Sequence, residues 1–181
     1  MHARRYSMHN KHPWSENLRE VIFGVEDGAI GNLGLVIGMA QALTPNNTIL
    51  LAGLATMFAQ AISMSAGNYL SVKSEKEYFQ VKKKSRSYGK GYAEHKSPVR
   101  SSLVMAISVI LGAAIPLAAF LFWESKQGIL PSVVITLIGL FILGASKSKF
   151  TMKNWFRSGI EITFVGFIAA IAGFIIGNLF A

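Results

Sequence analysis

Long runs of uncharged residues alternate with short charged segments along the chain. No Asp, Glu, Lys or Arg lies between Gly28 and Val72, and as a single helix this stretch would be about 67 Å long, over twice the thickness of a bilayer core. It must therefore fold back, and the Thr-Pro-Asn-Asn segment at 44–47 marks the turn. Three further uncharged runs, 101–123, 127–146 and 162–181, are each long enough to cross a membrane.

This pattern predicts an all-α integral membrane protein with five transmembrane helices, and the predicted spans are 18–42, 47–72, 98–122, 128–146 and 156–180. Residues 18–181 then form one transmembrane domain, preceded by an N-terminal tail at 1–17 and interrupted by a basic loop at 73–97. The first helix is not a cleavable signal peptide, because Glu26 and Asp27 interrupt its apolar region.

The basic residues predict the orientation of the five helices. The chain carries 18 Lys and Arg against 9 Asp and Glu, and all basic residues but Lys126 fall on one side of the predicted membrane. The positive-inside rule places the tail and the basic loop in the cytosol and the C-terminus outside. The net charge of +9 is therefore explained by topology and by contact with anionic lipid headgroups, so no nucleic-acid partner is expected.

Composition excludes several classes of chemistry. The absence of cysteine removes disulfides, thiolate metal sites, iron–sulfur clusters and cysteine nucleophiles. Asp27 is the only aspartate, so an intramembrane aspartyl protease would lack its second catalytic residue. No histidine lies in a predicted span to serve as the base of a serine hydrolase. We therefore predict that the protein is not an enzyme and needs no cofactor.

Polar residues inside the predicted spans are the candidates for function. Asp27 lies eight residues after Arg19, about 12 Å into the first helix, where an ionised carboxylate costs at least about 2.5–3.5 kcal/mol. Met64 lies at a similar depth in the second helix, and carboxylate and thioether ligands together favour a transition metal such as Fe²⁺. Glu20 shares the face of Asp27 nearer the cytosol, whereas Glu26 points about 100° away and receives no role.

Small residues in the first helix predict close helix packing. Gly24 and Gly28, and likewise Gly34 and Gly38, are four residues apart and allow another helix to approach closely. The partner surface is either inside the bundle or across a dimer interface. Pro116 is expected to kink the third helix.

Several motifs resemble the vacuolar iron transporter (VIT) family. They are Arg-Glu-Val-Ile-Phe-Gly-Val-Glu-Asp-Gly at 19–28, Gly-Leu-Ala at 53–55, Ala-Ile-Ser-Met at 61–64 and Gly-Asn-Tyr-Leu-Ser at 67–71. The resemblance implies a five-helix homodimer that exchanges cytosolic Fe²⁺, often also Mn²⁺, for protons along a pathway at the dimer interface. By motif position it implies that Asp27 and Met64 bind the metal and that Glu20 lies at the cytosolic entrance. The metal is then a substrate rather than a cofactor.

The chain departs from the plant members of that family at two places. Thr56 stands where those proteins carry a glutamate, and the basic loop, with Glu75, Glu77 and Glu94 as its acids, replaces a cytosolic metal-binding domain. The chain therefore looks like a short-loop member. Alternatives are a Mn²⁺-selective or general divalent-cation exporter, or a membrane accessory or scaffold protein without transport. The expected location is the cytoplasmic membrane of a prokaryote or the vacuolar membrane of a eukaryote.

Overall fold

The computed structural model describes residues 17–83, 96–151 and 154–181. Regular structure in these residues is entirely helical, with five helices: α1 (Leu18–Gln41), α2 (Asn46–Lys83), α3 (Pro98–Ala119), α4 (Ser125–Thr151) and α5 (Trp155–Leu179). Each helix is long and apolar enough to cross a membrane, which confirms the predicted five-helix membrane fold. The tail at 1–16 and the part of the basic loop at 84–95 lie outside the described residues.

Two helices extend beyond their predicted spans. α2 continues to Lys83, so the first part of the segment predicted as a loop at 73–97 is helical. No Gly or Pro follows Gly67 in this helix, and the exposed pair Lys73–Glu77 has the i, i+4 spacing that supports helix, with 3.9 Å between its charged atoms. α4 likewise runs from Ser125 to Thr151. Loss of hydropathy marks the end of a membrane span, whereas a helix ends where its backbone hydrogen bonding ends.

α1 is the central helix and contacts each of the other four. Its glycines allow this, because Gly24 and Gly28 lie directly on the backbone of α3. A Cβ atom on Gly24 would lie 2.7 Å from the Cβ of Ser108, and one on Gly28 would lie 2.9 Å from the amide nitrogen of Ala113. Real Cβ atoms do not approach other atoms so closely, so the spacing of α1 and α3 requires glycine at these positions.

The second pair of glycines on α1 faces α5. Gly34 and Gly38 lie against Gly173 and Gly177, so that the backbones of the two helices touch. Both predicted small-residue pairs therefore pack within one chain, which decides between the two partner surfaces left open by the sequence.

A buried asparagine of α1 connects this helix to α2 and α3. The Asn32 side chain is fully buried, and its Nδ2 donates to the carbonyl oxygens of Gly53 on α2 at 3.2 Å and Ala113 on α3 at 3.0 Å. Hydrogen bonds of this kind are needed wherever an amide is removed from water. Asn46 performs a similar role at the far end, where its Nδ2 donates to the carbonyl oxygen of Phe120 at 2.6 Å and its Oδ1 accepts from the Ser125 amide at 3.2 Å.

We expect Gly28→Ala to lower the free energy of unfolding by about 1–3 kcal/mol, because the new methyl group overlaps the α3 backbone. Gly139→Ala is the matched control, since a Cβ at that position would lie 3.4 Å from the side chain of Ile115, an ordinary van der Waals contact, and alanine is the better helix former. The comparison requires unfolding midpoints of the two variants in the same detergent. Equal midpoints for both variants would contradict this packing.

Candidate functional site

One face of α1 is left open by the packing of the other faces. Arg19, Phe23, Asp27 and Gly31 follow one another at a spacing of four residues, and all are exposed in the single chain. We call this row the open face of α1. Asp27 thus lies on the lateral surface of the bundle, although it belongs to the most central helix. A charged group on such a surface is rarely left against lipid.

A contact between α1 and α2 brings Asp27 and Met64 to the same level. The side-chain amide of Gln60 lies directly against Gly31. Gly31 follows Asp27 by one helical turn, and Gln60 precedes Met64 by one turn. Because the two helices are antiparallel, the turn carrying Asp27 faces the turn carrying Met64.

The surroundings of the two predicted ligands nevertheless differ. Met64 is half-buried and packs against a cluster formed by Ala61, Met105 and Val109 between α2 and α3. The Asp27 side chain is exposed on the open face of α1. Within one chain the structure therefore brings these residues to one level without enclosing them in a common pocket.

α2 carries a row of small residues beside this open face. Ala55, Ala59, Ser63, Gly67 and Ser71 have a spacing of four residues and are all exposed. In the most apolar 18-residue segment of α2 only 22% of the residues are buried, against 44% in the corresponding segment of α3. A continuous row of small side chains permits a second helix to approach closely. We call this row the small-residue face of α2.

Glu20 lies in a buried polar cluster rather than at an open entrance. Its side chain is fully buried and forms an ion pair with Lys96, whose side chain is only 10% exposed. The hydroxyl of Ser101 donates to the same carboxylate oxygen, Oε1, at 3.0 Å, and Nδ2 of Asn68 donates to that hydroxyl at 2.8 Å. The cluster joins α1, α2 and α3 to Lys96, which lies two residues before α3 begins. The second carboxylate oxygen, Oε2, is buried and has no hydrogen-bond partner among the described residues.

Glu26 faces a different neighbour. It is half-buried on α1 and interacts electrostatically with Lys147 near the end of α4. Glu26 also interacts electrostatically with the neighbouring Asp27, but its position is at the contact between α1 and α4. Within the ranges that the structure describes, no group of three or more His, Cys, Asp or Glu side chains is close enough to hold a metal ion.

Comparison with known proteins shows to which family the chain belongs. The model of the VIT family matches residues 18–90 and 86–178, which is nearly the whole of the five-helix bundle. The chain belongs to the VIT family. Proteins named vacuolar iron transporter 1 are 28% identical to it in both Oryza sativa subsp. japonica and Arabidopsis thaliana. The alignments cover 92% and 91% of this chain and 88% and 86% of those proteins, respectively.

A prokaryotic relative shares the short form of this VIT-family chain. An uncharacterised protein of Methanocaldococcus jannaschii is 30% identical over 90% of this chain and 89% of its own length. That alignment needs only 171 positions, whereas the rice alignment extends over 222, more than the 181 residues of this chain. The plant proteins therefore contain residues that have no counterpart here. The chain is a multi-pass membrane protein, and its relatives fit the predicted locations.

The contacts of these residues are harder to predict from the sequence than the residues themselves. Lys96 is 76 positions from Glu20, and no local pattern indicates their contact. The small-residue face of α2, in contrast, is visible as a repeat of small residues at intervals of four. Gln60 is polar and lies inside an apolar span, but its role depends on the rotation of α2.

The buried ion pair gives a stability prediction. We expect Lys96→Met to lower the free energy of unfolding by about 3–5 kcal/mol, because it leaves the Glu20 carboxylate buried without its counter-ion. The double variant Glu20→Gln/Lys96→Met should recover a large part of that loss. Thermal unfolding in detergent measures the stability of the single and the double variant.

Lys73→Met is the control, because the Lys73–Glu77 pair is exposed and such pairs contribute about 0–1 kcal/mol. If Lys96→Met were as mild as Lys73→Met, the polar cluster would have no structural role.

Proposed function

We propose that this protein is a divalent transition-metal transporter that carries Fe²⁺, and also Mn²⁺, out of the cytosol in exchange for protons. The observation that carries the proposal is the position of Asp27, a carboxylate exposed on the membrane-spanning surface at the level of Met64. Membership of the VIT family and the names of the plant relatives support metal as the substrate.

A second copy of the chain covers this surface in the proposal. An acid exposed to lipid is costly, and the small-residue face of α2 beside it permits a close helix–helix contact. A homodimer formed through these faces supplies two Asp27 carboxylates and two Met64 thioethers. A mixed set of oxygen and sulfur ligands favours Fe²⁺ over Ca²⁺ or Mg²⁺.

The distribution of basic residues indicates the direction of transport. In the proposal, the positive-inside rule puts the N-terminal end of α1, and with it Glu20, on the cytosolic side, where Glu20 receives the incoming cation. Because Lys96 already neutralises this carboxylate, a cation reaches Glu20 only when the ammonium group moves away.

Proton exchange follows from the same carboxylate. Removal from water favours the neutral carboxyl group of Asp27, whereas a divalent cation favours the carboxylate. Metal binding consequently releases a proton, and rebinding of a proton on the far side assists release of the metal. The proposal uses Asp27 as the shared site, which requires no charged side chain at Thr56.

Asp27→Asn should reduce Fe²⁺ flux into proteoliposomes by about tenfold or more, because the amide can neither carry the negative charge nor exchange a proton. Fe²⁺ uptake and internal pH are recorded together, in parallel with Mn²⁺ uptake. Glu124→Gln, an exposed acid at the turn before α4, is the control and should transport like the parent. Undiminished metal-linked proton flux in Asp27→Asn would disprove the assigned role.

Disulfide cross-linking can test the proposed dimer, because the chain contains no native cysteine. Single Ala59→Cys, Ser63→Cys and Gly67→Cys variants sample the small-residue face of α2, and at least one should form an oxidised dimer in the membrane when its Cα atoms lie within about 7 Å. Ile138→Cys, which is exposed on α4, should remain monomeric on the same gel. Cross-linking through Ile138 alone would place the interface elsewhere.

A further inference from the structure

Gln60 carries a side-chain amide within the membrane-spanning part of α2, and the position of this amide depends on a glycine of α1. The nitrogen of its side chain lies against Gly31 so closely that a Cβ atom on residue 31 would collide with it. Gly31 does not contact α3 or α5 in the way that the other glycines of α1 do. Its absent side chain instead makes room for the Gln60 amide between α1 and α2.

The carbonyl oxygen of this amide is buried and has no hydrogen-bond partner among the described residues. A buried acceptor without a partner costs about 1–3 kcal/mol, and in a bilayer no bulk water can compensate it. Asn32 also has an unpaired side-chain oxygen, but its Nδ2 already forms two hydrogen bonds that connect helices. The side-chain oxygen of Gln60 has no comparable structural role, because no described residue donates a hydrogen bond to it.

The location of this oxygen indicates what it binds. Gln60 lies one helical turn from Met64, and its contact Gly31 lies one turn from Asp27. An amide carbonyl is a neutral oxygen ligand of the kind that divalent cations accept beside carboxylates. Because it carries no charge, it can stay in the membrane without a cation at lower cost than an additional acid.

We propose that the side-chain oxygen of Gln60 is a third metal ligand. Each copy of the chain then contributes Asp27, Met64 and Gln60 to the site. This inference rests on the proposed function, since it concerns the metal that the site carries. A neutral ligand increases affinity without adding a charge that would hold the metal during release. It also shifts preference toward the harder cation Mn²⁺, because it adds oxygen to a site that contains sulfur.

The test compares Gln60→Leu, which removes the oxygen, with Gln60→Glu, which keeps the size and adds a charge. Gln80→Leu and Gln80→Glu make the same changes at an exposed position near the end of the same helix. Two quantities are measured on the full chain: the Kd for Mn²⁺ of purified protein, by electron paramagnetic resonance of the free ion, and the KM for Mn²⁺ and Fe²⁺ uptake into proteoliposomes. Unfolding midpoints identify any variant that does not fold.

We expect Gln60→Leu to raise the Kd and KM for Mn²⁺ by about 10–100-fold, with a smaller effect on Fe²⁺. Gln60→Glu should lower the Kd and slow turnover, because the added charge retains the cation. The Gln80 variants should match the parent in both quantities. If Gln60→Leu folds and retains the parental Kd, or if it does not fold and Gln60→Glu retains it, the assignment is wrong.

Binding and flux separate this inference from the proposed function. A parent protein that binds Mn²⁺ but transports no metal would contradict the transporter, and the Kd values of the Gln60 variants would still decide the ligand. A parent that neither binds nor transports Mn²⁺ or Fe²⁺ would overturn both proposals.

Discussion

The rotation of α1 about its own axis is fixed by contact between backbones, and the arrangement of the candidate site depends on it. Gly24 and Gly28 leave no space between α1 and α3, and on α5 Gly173 and Gly177 leave none against Gly34 and Gly38 of α1. A helix held on two sides in this way cannot turn without collisions of backbone atoms. The remaining side carries Asp27, so glycine packing on one side of α1 exposes a carboxylate on the other.

Buried polar side chains of the bundle differ in whether they form hydrogen bonds that join helices. The amide nitrogen of Asn32 and the Oε1 atom of Glu20 have partners on other helices, and these contacts hold α1, α2 and α3 together. The side-chain oxygen of Gln60 has none. In a medium without water, satisfied groups stabilise the fold, whereas an unsatisfied acceptor beside an acid and a thioether is suited to a passing cation.

The sequence was sufficient for the five membrane-spanning helices and for the common level of Asp27 and Met64, because both follow from charge distribution and the rise of a helix. It was insufficient for contacts that depend on how helices are rotated and paired. The Glu20–Lys96 ion pair joins residues far apart in the chain, and the contact of Gln60 with Gly31 requires the mutual orientation of α1 and α2. The extension of α2 to Lys83 was missed for another reason, since charged residues end a span without ending a helix.

The central claim is that Asp27 faces a second copy of the chain and binds metal there together with Met64. Anomalous diffraction at the manganese edge, from crystals of the full chain grown in lipid with Mn²⁺, tests it most directly. We predict one anomalous peak between two copies, with Asp27 oxygens and Met64 sulfurs as ligands. A manganese peak remote from Asp27, with this side chain directed at lipid and the copies joined through α4 or α5, would contradict it.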